Sequence, residues 1–156
     1  MIEPTPTNPP ADDNVTAALA RFRDGYSCSQ ASFSAFAEQL GLPIDTALRI
    51  ASTFGGGIGR RGEVCGAATG ALMALGLQHG FSVLDANAKE HATAVAAEFV
   101  RRFEARTGAL RCRDLIQADM TTPEGLAEAR ERKVFADLCP LYVQAAVEIA
   151  RELVEK

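Results

Sequence analysis

Apolar residues recur at intervals of three and four along the chain, and no segment shows the strict apolar–polar alternation that is typical of a strand. In the first such segment, residues 14 to 24, this spacing places Val15, Leu19 and Phe22 on one face of a helix that Gly25 ends. The same periodicity continues to the C-terminus. The pattern therefore predicts an all-α protein.

Capping residues mark several helix starts. Ser27 and Gln30 have the capping-box spacing, and Asn87 with Glu90 repeats it, so helices are expected to begin at these two places. Together with the other starts, they predict a compact single-domain bundle of seven or eight short helices over residues 13 to 156. The other expected helices begin at Pro43, near Cys65, near Cys112, at Thr122 and Pro123, and at Pro140.

The fourth expected helix is built mainly from small residues. Its sequence from Cys65 is CGAATGALMALGL, in which Gly66 and Gly70 lie four positions apart among alanines. Residues 64 to 77 carry no charge, so this helix is expected to be the most buried one, and it is shorter than the roughly 18 residues that span a membrane. Its small side chains allow another helix, or a cofactor, to approach closely.

A glycine-rich loop, FGGGIGRRGEV, precedes this helix at residues 54 to 64. Three consecutive glycines cost conformational entropy, which is justified where the backbone turns sharply or approaches a ligand. The loop resembles an anion-binding turn, but it has no P-loop lysine and follows a helix rather than a strand, so a nucleotide site is disfavoured. We therefore predict that the loop approaches a cofactor beside Cys65. The candidate cofactor-binding residues are Gly55, Gly56, Gly57 and Gly66.

Four cysteines carry the candidate chemistry: Cys28, Cys65, Cys112 and Cys139. No two are close in sequence, so neither a C-x-x-C redox pair nor a zinc-ribbon spacing is present. Each is expected near a helix N-terminus, where partial positive charge stabilises a thiolate and lowers its pKa. They could converge on one metal or cluster, form two redox couples, or be four buried core residues.

Composition and charge limit the classes of function. The chain has 156 residues, a net charge of −4 and a pI near 5.2, which argue against a nucleic-acid-binding protein. Residues 1 to 12 are rich in proline and contain no apolar core of a signal sequence, so they are expected to be a disordered, dispensable leader. We expect a cytoplasmic protein that does not associate with membranes, in a compartment that keeps thiols reduced.

Three segments together resemble one known family. The stretches GYSCSQASFSAF, FGGGIGRRGEVCGAATGALMALGL and LRCRDLI, with the later Cys139, are similar to the C_GCAxxG_C_C family of putative redox-active proteins. The resemblance covers roughly residues 20 to 150 and keeps the order of all four cysteines. Cys65 is followed by Gly66 before Ala67, so the GCAxxG element is not matched letter for letter. The resemblance implies a redox or metal site at the four cysteines and leaves the substrate open.

The leading functional hypothesis is a redox-active protein with a cysteine-ligated iron–sulfur cluster for electron transfer or redox sensing. Four cysteine ligands complete the set that a [2Fe–2S] cluster needs, so this cluster type is expected. Cys28, Cys65, Cys112 and Cys139 are the candidate metal ligands, and Cys65 and Cys28 are the candidate reactive residues. One alternative is a thiol–disulfide oxidoreductase without a cofactor, and another is a helical protein with a structural zinc. The expected partner is an unidentified redox protein, and a homodimer is also expected.

Cys65 is the residue on which this hypothesis depends most. It combines a glycine-rich approach, a helix start and two nearby cations, Arg60 and Arg61. Each of these features stabilises a thiolate, so the sequence predicts a Cys65 pKa well below the ordinary value of about 8.5.

Overall fold

The structure, a computed structural model, describes residues 13 to 156. These residues form nine α-helices. The predicted leader, residues 1 to 12, lies outside the described residues. No strand forms between residues 13 and 156, where a single isolated bridge pairs Val64 with Arg111. The helices are α1 (Asp13–Arg23), α2 (Cys28–Ala37), α3 (Ile44–Ala51), α4 (Gly66–His79), α5 (Ala86–Thr107), α6 (Cys112–Ile116), α7 (Pro123–Glu131), α8 (Val134–Asp137) and α9 (Cys139–Val154).

The predicted all-α class is confirmed, and each of the eight predicted helices is present. The short helix α8 is an addition, since the sequence pattern runs from α7 to Cys139 without a separate capping signal. No helix among residues 13 to 156 is long and apolar enough to cross a membrane.

The N-terminus of α2 is capped as predicted. The Ser27 side chain accepts from the Gln30 amide, and the Gln30 side-chain oxygen accepts from the Ser27 amide at 3.1 Å. The predicted start of α5 is wrong by two residues, because Asp85 rather than Asn87 is its N-cap. One Asp85 carboxylate oxygen accepts from the amides of Asn87 and Ala88.

Helices α2 and α4 pack against each other at the centre of the bundle. Gly66 and Gly70 face α2 so closely that a methyl group on either would collide with it, which confirms the small-residue contact. Seven of the ten residues of α2 are buried, against seven of the fourteen in α4. The prediction that α4 is the most buried helix is therefore wrong. Its last turn emerges from the core, where Leu77 is 43% exposed.

The apolar core consists of two clusters. The larger cluster is formed mainly by helices α1 to α5 and α9 and includes Leu115 of α6, with Phe36, Phe99 and Phe103 among its fully buried side chains. The smaller cluster is formed by α6, α7 and α8 around Ile116 and Val134. A cavity lies between the two clusters, and the four cysteines are placed around it.

Candidate functional site

All four cysteines lie at helix starts, as the sequence predicted. Cys28, Cys112 and Cys139 are the first residues of α2, α6 and α9, and Cys65 is the N-cap of α4. None of them is in a disulfide. The four positions are far apart in sequence, so their shared placement results from packing of the helices.

These helix starts meet at one cavity of about 1060 Å³, and all four cysteines line it. Cys28 and Cys65 reach it from the larger core cluster, and Cys112 and Cys139 from the side of the smaller one. Cys65 is 5% exposed and Cys112 is 8% exposed, so these two sulfurs are nearly shielded from bulk water. The cavity therefore brings together four thiols, of which those of Cys65 and Cys112 are the more buried.

Backbone amides surround the sulfur of Cys28. Hydrogen bonds from the backbone of Gly56, Ser29 and Ala67 favour the thiolate of Cys28. The sulfur also lies directly against Gly66, where a side chain would occupy the same space. Gly56 belongs to the glycine-rich loop, so this loop contributes an amide to the cysteine site.

Cys65 and Cys112 are connected by a short antiparallel pairing. The Cys65 amide donates to the Leu110 carbonyl at 2.9 Å, and the Cys112 amide donates to the Glu63 carbonyl at 2.7 Å. These bonds flank the isolated bridge between Val64 and Arg111. The start of α4 is thereby fixed to the start of α6.

The prediction of a lowered Cys65 pKa is contradicted. Burial raises the pKa of Cys65, and the neighbouring Cys28 thiol adds to the rise, while hydrogen bonds from the Ala68 and Ala67 backbone oppose it. Burial also raises the pKa of Cys28, and it raises the pKa of Cys112 and of Cys139 to about 12. The physical reason is desolvation, which disfavours a charged thiolate more than the helix starts favour it.

The arginines near the cysteines in sequence have other roles. Arg113 donates to the carbonyls of Arg61 and Gly62 and pairs with the Glu63 carboxylate at 3.1 Å. Arg111 lies 3.9 Å from the same carboxylate. Glu63 is thus part of a clamp that holds the loop to α6.

The glycine-rich loop has an unusual backbone. Five consecutive residues have positive φ angles between 57° and 68°, and two of them, Ile58 and Arg60, are not glycine. A β-branched residue rarely adopts this region, and such strain persists only where the surrounding structure enforces it. The Gly62 amide donates a hydrogen bond to the Gly56 carbonyl, and the Glu63 amide donates one to the Gly57 carbonyl, which closes the loop onto itself.

The four predicted cofactor-binding glycines divide into two pairs. Gly55 and Gly56 line the cavity. Gly57 instead packs against the backbone of Glu63, and Gly66 packs against Cys28, so these two glycines shape the site from behind its wall.

Other residues of the site were missed from the sequence. Ser32 is buried in α2, and its hydroxyl lies 2.7 Å from the Cys28 carbonyl and 3.0 Å from the Ala67 carbonyl. Tyr142 lines the cavity and donates to the Leu115 carbonyl at 2.9 Å, which joins α9 to α6. The serine-rich sequence CSQASFSAF is the one signal that could have indicated a polar side chain inside α2.

The two histidines lie away from the cysteines. His79 is half-buried and contacts the Leu153 carbonyl and His91, which is exposed. Between residues 13 and 156, no three histidine, cysteine or acidic side chains are arranged around a common point as ligands of a metal ion.

Comparison with known proteins gives one family. The model of the family described as "Putative redox-active protein (C_GCAxxG_C_C)" matches residues 26–153, a range that contains all four cysteines and the glycine-rich loop. No curated protein and no solved structure matches the chain.

Proposed function

The chain belongs to the C_GCAxxG_C_C family, and from this premise we propose that it is a redox protein whose four cysteines hold an iron–sulfur cluster. The number of thiols suits a [2Fe–2S] cluster, because each of its two irons takes two cysteine ligands. When bound, such a cluster would supply one-electron transfer. We further propose a cytoplasmic location and a redox protein as partner.

The observation that carries this proposal is the meeting of four helix starts at one cavity lined by four cysteines. Thiolates are the standard ligands of iron–sulfur clusters, so the donor set fits in kind and in number. Burial raises the pKa values of these thiols, so a bound cation is needed to keep four of them deprotonated together.

The chain itself supplies an environment for negative charge. Backbone hydrogen bonds reach Cys28 from Gly56, Ser29 and Ala67, and they reach Cys65 from Ala67 and Ala68. Amides fixed in this way stabilise negative charge at sulfur. This environment supports a ligated anionic group better than a freely exchanging thiolate.

The proposal is tested by metal and acid-labile sulfide analysis of protein purified without air. We expect iron and sulfide in equal amounts, visible absorption, and a sharp loss of both in Cys65→Ser and in the double variant Cys112→Ser/Cys139→Ser. Circular dichroism should show unchanged helicity in these variants. Zinc in place of iron would support the structural-zinc alternative, and iron retained in the double variant would contradict the four-cysteine site.

A dithiol–disulfide couple of Cys28 and Cys65 is the second candidate. The Cys28 sulfur lies against Gly66, the residue that follows Cys65 in the chain, and the Ala67 backbone is hydrogen-bonded to both thiols. In this reaction the two thiols lose two protons and two electrons and form one disulfide, while a substrate disulfide accepts them and becomes two thiols. This activity needs only Cys28 and Cys65, so it would survive in Cys112→Ser/Cys139→Ser, whereas a four-ligand cluster would not.

A further inference from the structure

We propose that the cysteine cavity also binds a small organic anion with an aromatic or aliphatic body, held by Arg23, Arg60 and Arg130. This inference rests on the proposed function, because it assigns a class of substrate to the same site.

The charge of the cavity wall points to an anion. Three arginines line the cavity, and no aspartate or glutamate of residues 13 to 156 does so, although the chain as a whole carries a net charge of −4. None of the three forms an ion pair with a carboxylate of the described residues. The three side chains are exposed, and guanidinium groups without acidic partners are a recurring way of binding carboxylate, sulfonate or phosphate groups.

These arginines come from three separate elements. Arg23 is the last residue of α1, Arg130 lies in α7, and Arg60 lies in the glycine-rich loop. Arg60 has a φ of 64°, which is costly for a residue with a side chain. Backbone strain of this kind concentrates at functional sites, and here it occurs at a residue that lines the cavity.

The cavity is larger than a cluster requires. A two-iron, two-sulfide core has four atoms, so at roughly 30 Å³ each, the volume of a water molecule in the liquid, it fills about 120 Å³. The cavity measures about 1060 Å³, which is the size of a small-molecule site. Its remaining wall is largely apolar and includes Phe22, Leu126 and Phe135. A molecule that fills it therefore needs an apolar body as well as a negative charge.

Binding can be tested with a pair of probes that differ in charge. 8-Anilinonaphthalene-1-sulfonate has an aromatic body and a sulfonate, and N-phenyl-1-naphthylamine has the same body without the charge. Equilibrium dialysis against the full chain, purified without air, measures the Kd of both probes. An absorbing group in the protein does not interfere with this measurement. We expect the sulfonate to bind more tightly than the neutral probe, at one site per chain.

Variants show where the probe binds. In Arg23→Gln/Arg60→Gln/Arg130→Gln we expect the Kd of the sulfonate to rise about tenfold or more, with little change for the neutral probe. A control with the same change in net charge, Arg49→Gln/Lys89→Gln/Lys156→Gln, should bind as the wild type does. The exposed loop residues Val83 and Leu84 offer a competing apolar surface, so Val83→Ser/Leu84→Ser should also leave binding unchanged.

The outcomes separate this inference from the proposed function. Equal loss of binding in the charge control, or loss in the Val83 and Leu84 variant, would overturn the inference. Iron and sulfide content of the triple arginine variant should equal that of the wild type. If wild-type protein contains neither iron nor sulfide but still binds the sulfonate through the three arginines, the cluster fails and the anion site stands.

Discussion

The sulfur of Cys28 lies directly against the α-carbon of Gly66. The start of α2 and the start of α4 therefore approach each other where the Cys28 sulfur occupies the space that a side chain at residue 66 would fill. The backbone of Ala67, the next residue, is hydrogen-bonded to both Cys28 and Cys65. Absence of a side chain at Gly66 is therefore what allows two of the four cysteines to share one wall of the cavity.

Gly66→Ala should damage the site even though alanine is the better helix former. The added methyl group would overlap the Cys28 sulfur and lie 3.1 Å from the Phe54 carbonyl oxygen, and we expect a loss of about 1 to 3 kcal/mol in the free energy of unfolding. Gly76→Ala in the same helix is the control, because nothing lies within 4 Å of its added methyl group. It should stabilise the protein by up to about 1 kcal/mol. Urea unfolding measures both, and equal stabilisation would show that Cys28 moves freely.

The helices could be predicted because their signals are local. A capping residue followed by apolar positions at intervals of three and four is sufficient for α2, which begins and packs as expected. At α5 the sequence predicted Asn87 as the cap, whereas backbone geometry makes Asp85, two residues earlier, the N-cap. At α4 the lack of charge predicted the most buried helix, but Leu77 and its neighbours reach the surface because the core ends before the helix does.

The chemistry of the site could be predicted only in part. The sequence places Cys65 and Cys139 at helix starts correctly, but their pKa values depend on desolvation, which is a property of the packed bundle. Likewise Arg111 and Arg113 flank Cys112 in sequence, whereas in the fold they interact with Glu63. Neighbours along the chain are a poor guide to charge interactions in a site built from separate helices.

Ser32→Ala should weaken the contact between α2 and α4. Its buried hydroxyl lies within hydrogen-bonding distance of the Cys28 and Ala67 carbonyls, so we expect a cost of about 1 kcal/mol. The control is Ser52→Ala, whose hydroxyl donates to the Arg49 carbonyl at an exposed position and should cost less than about 0.5 kcal/mol. Chemical denaturation compares the two, and a Ser32 cost no greater than that of Ser52 would contradict the bridging role.

Asp85→Ala should destabilise α5 more than Asn87→Ala does. The Asp85 carboxylate accepts from two orphan amides of the first turn, and removal of an N-cap costs about 0.5 to 2 kcal/mol. Asn87 lies within the helix, so its replacement by alanine should be neutral or slightly stabilising. Thermal unfolding of the two single variants is the measurement, and the reverse order would restore the cap predicted from the sequence.

Glu98 should make the protein sensitive to acid. Hydrogen bonds from Arg101 and Arg102 lower its pKa to about 2 from an ordinary 4.5. Because the folded-state pKa is the lower one, the stabilisation is present above about pH 4.5 and is lost as the pH falls toward about 2. The Tm difference between wild type and Glu98→Gln should therefore be largest near neutral pH and disappear by about pH 2. Glu104→Gln, in the same helix without an ion pair among the described residues, should show no such trend.

Gly57 and Gly59 offer the sharpest test of the glycine-rich loop, because both have positive φ angles, 68° and 57°, but only one is enclosed. A methyl group on Gly57 would lie 2.5 Å from the Glu63 nitrogen and 2.6 Å from its carbonyl oxygen, whereas one on Gly59 would meet nothing within 4 Å. The same Glu63 carbonyl accepts from the Cys112 amide at 2.7 Å, so a shift of Glu63 would displace that cysteine.

Gly59→Ala should therefore cost only the strain of a left-handed residue, about 1 to 2 kcal/mol, and leave the content of iron and sulfide unchanged. Gly57→Ala should cost about 1 to 3 kcal/mol more, because rigid backbone must move, and should lower that content. Urea unfolding and metal analysis of the two variants give both quantities. If the two variants lost the same free energy of unfolding and kept the same metal content, the contact between Gly57 and Glu63 would not matter, and the loop would not position Cys112.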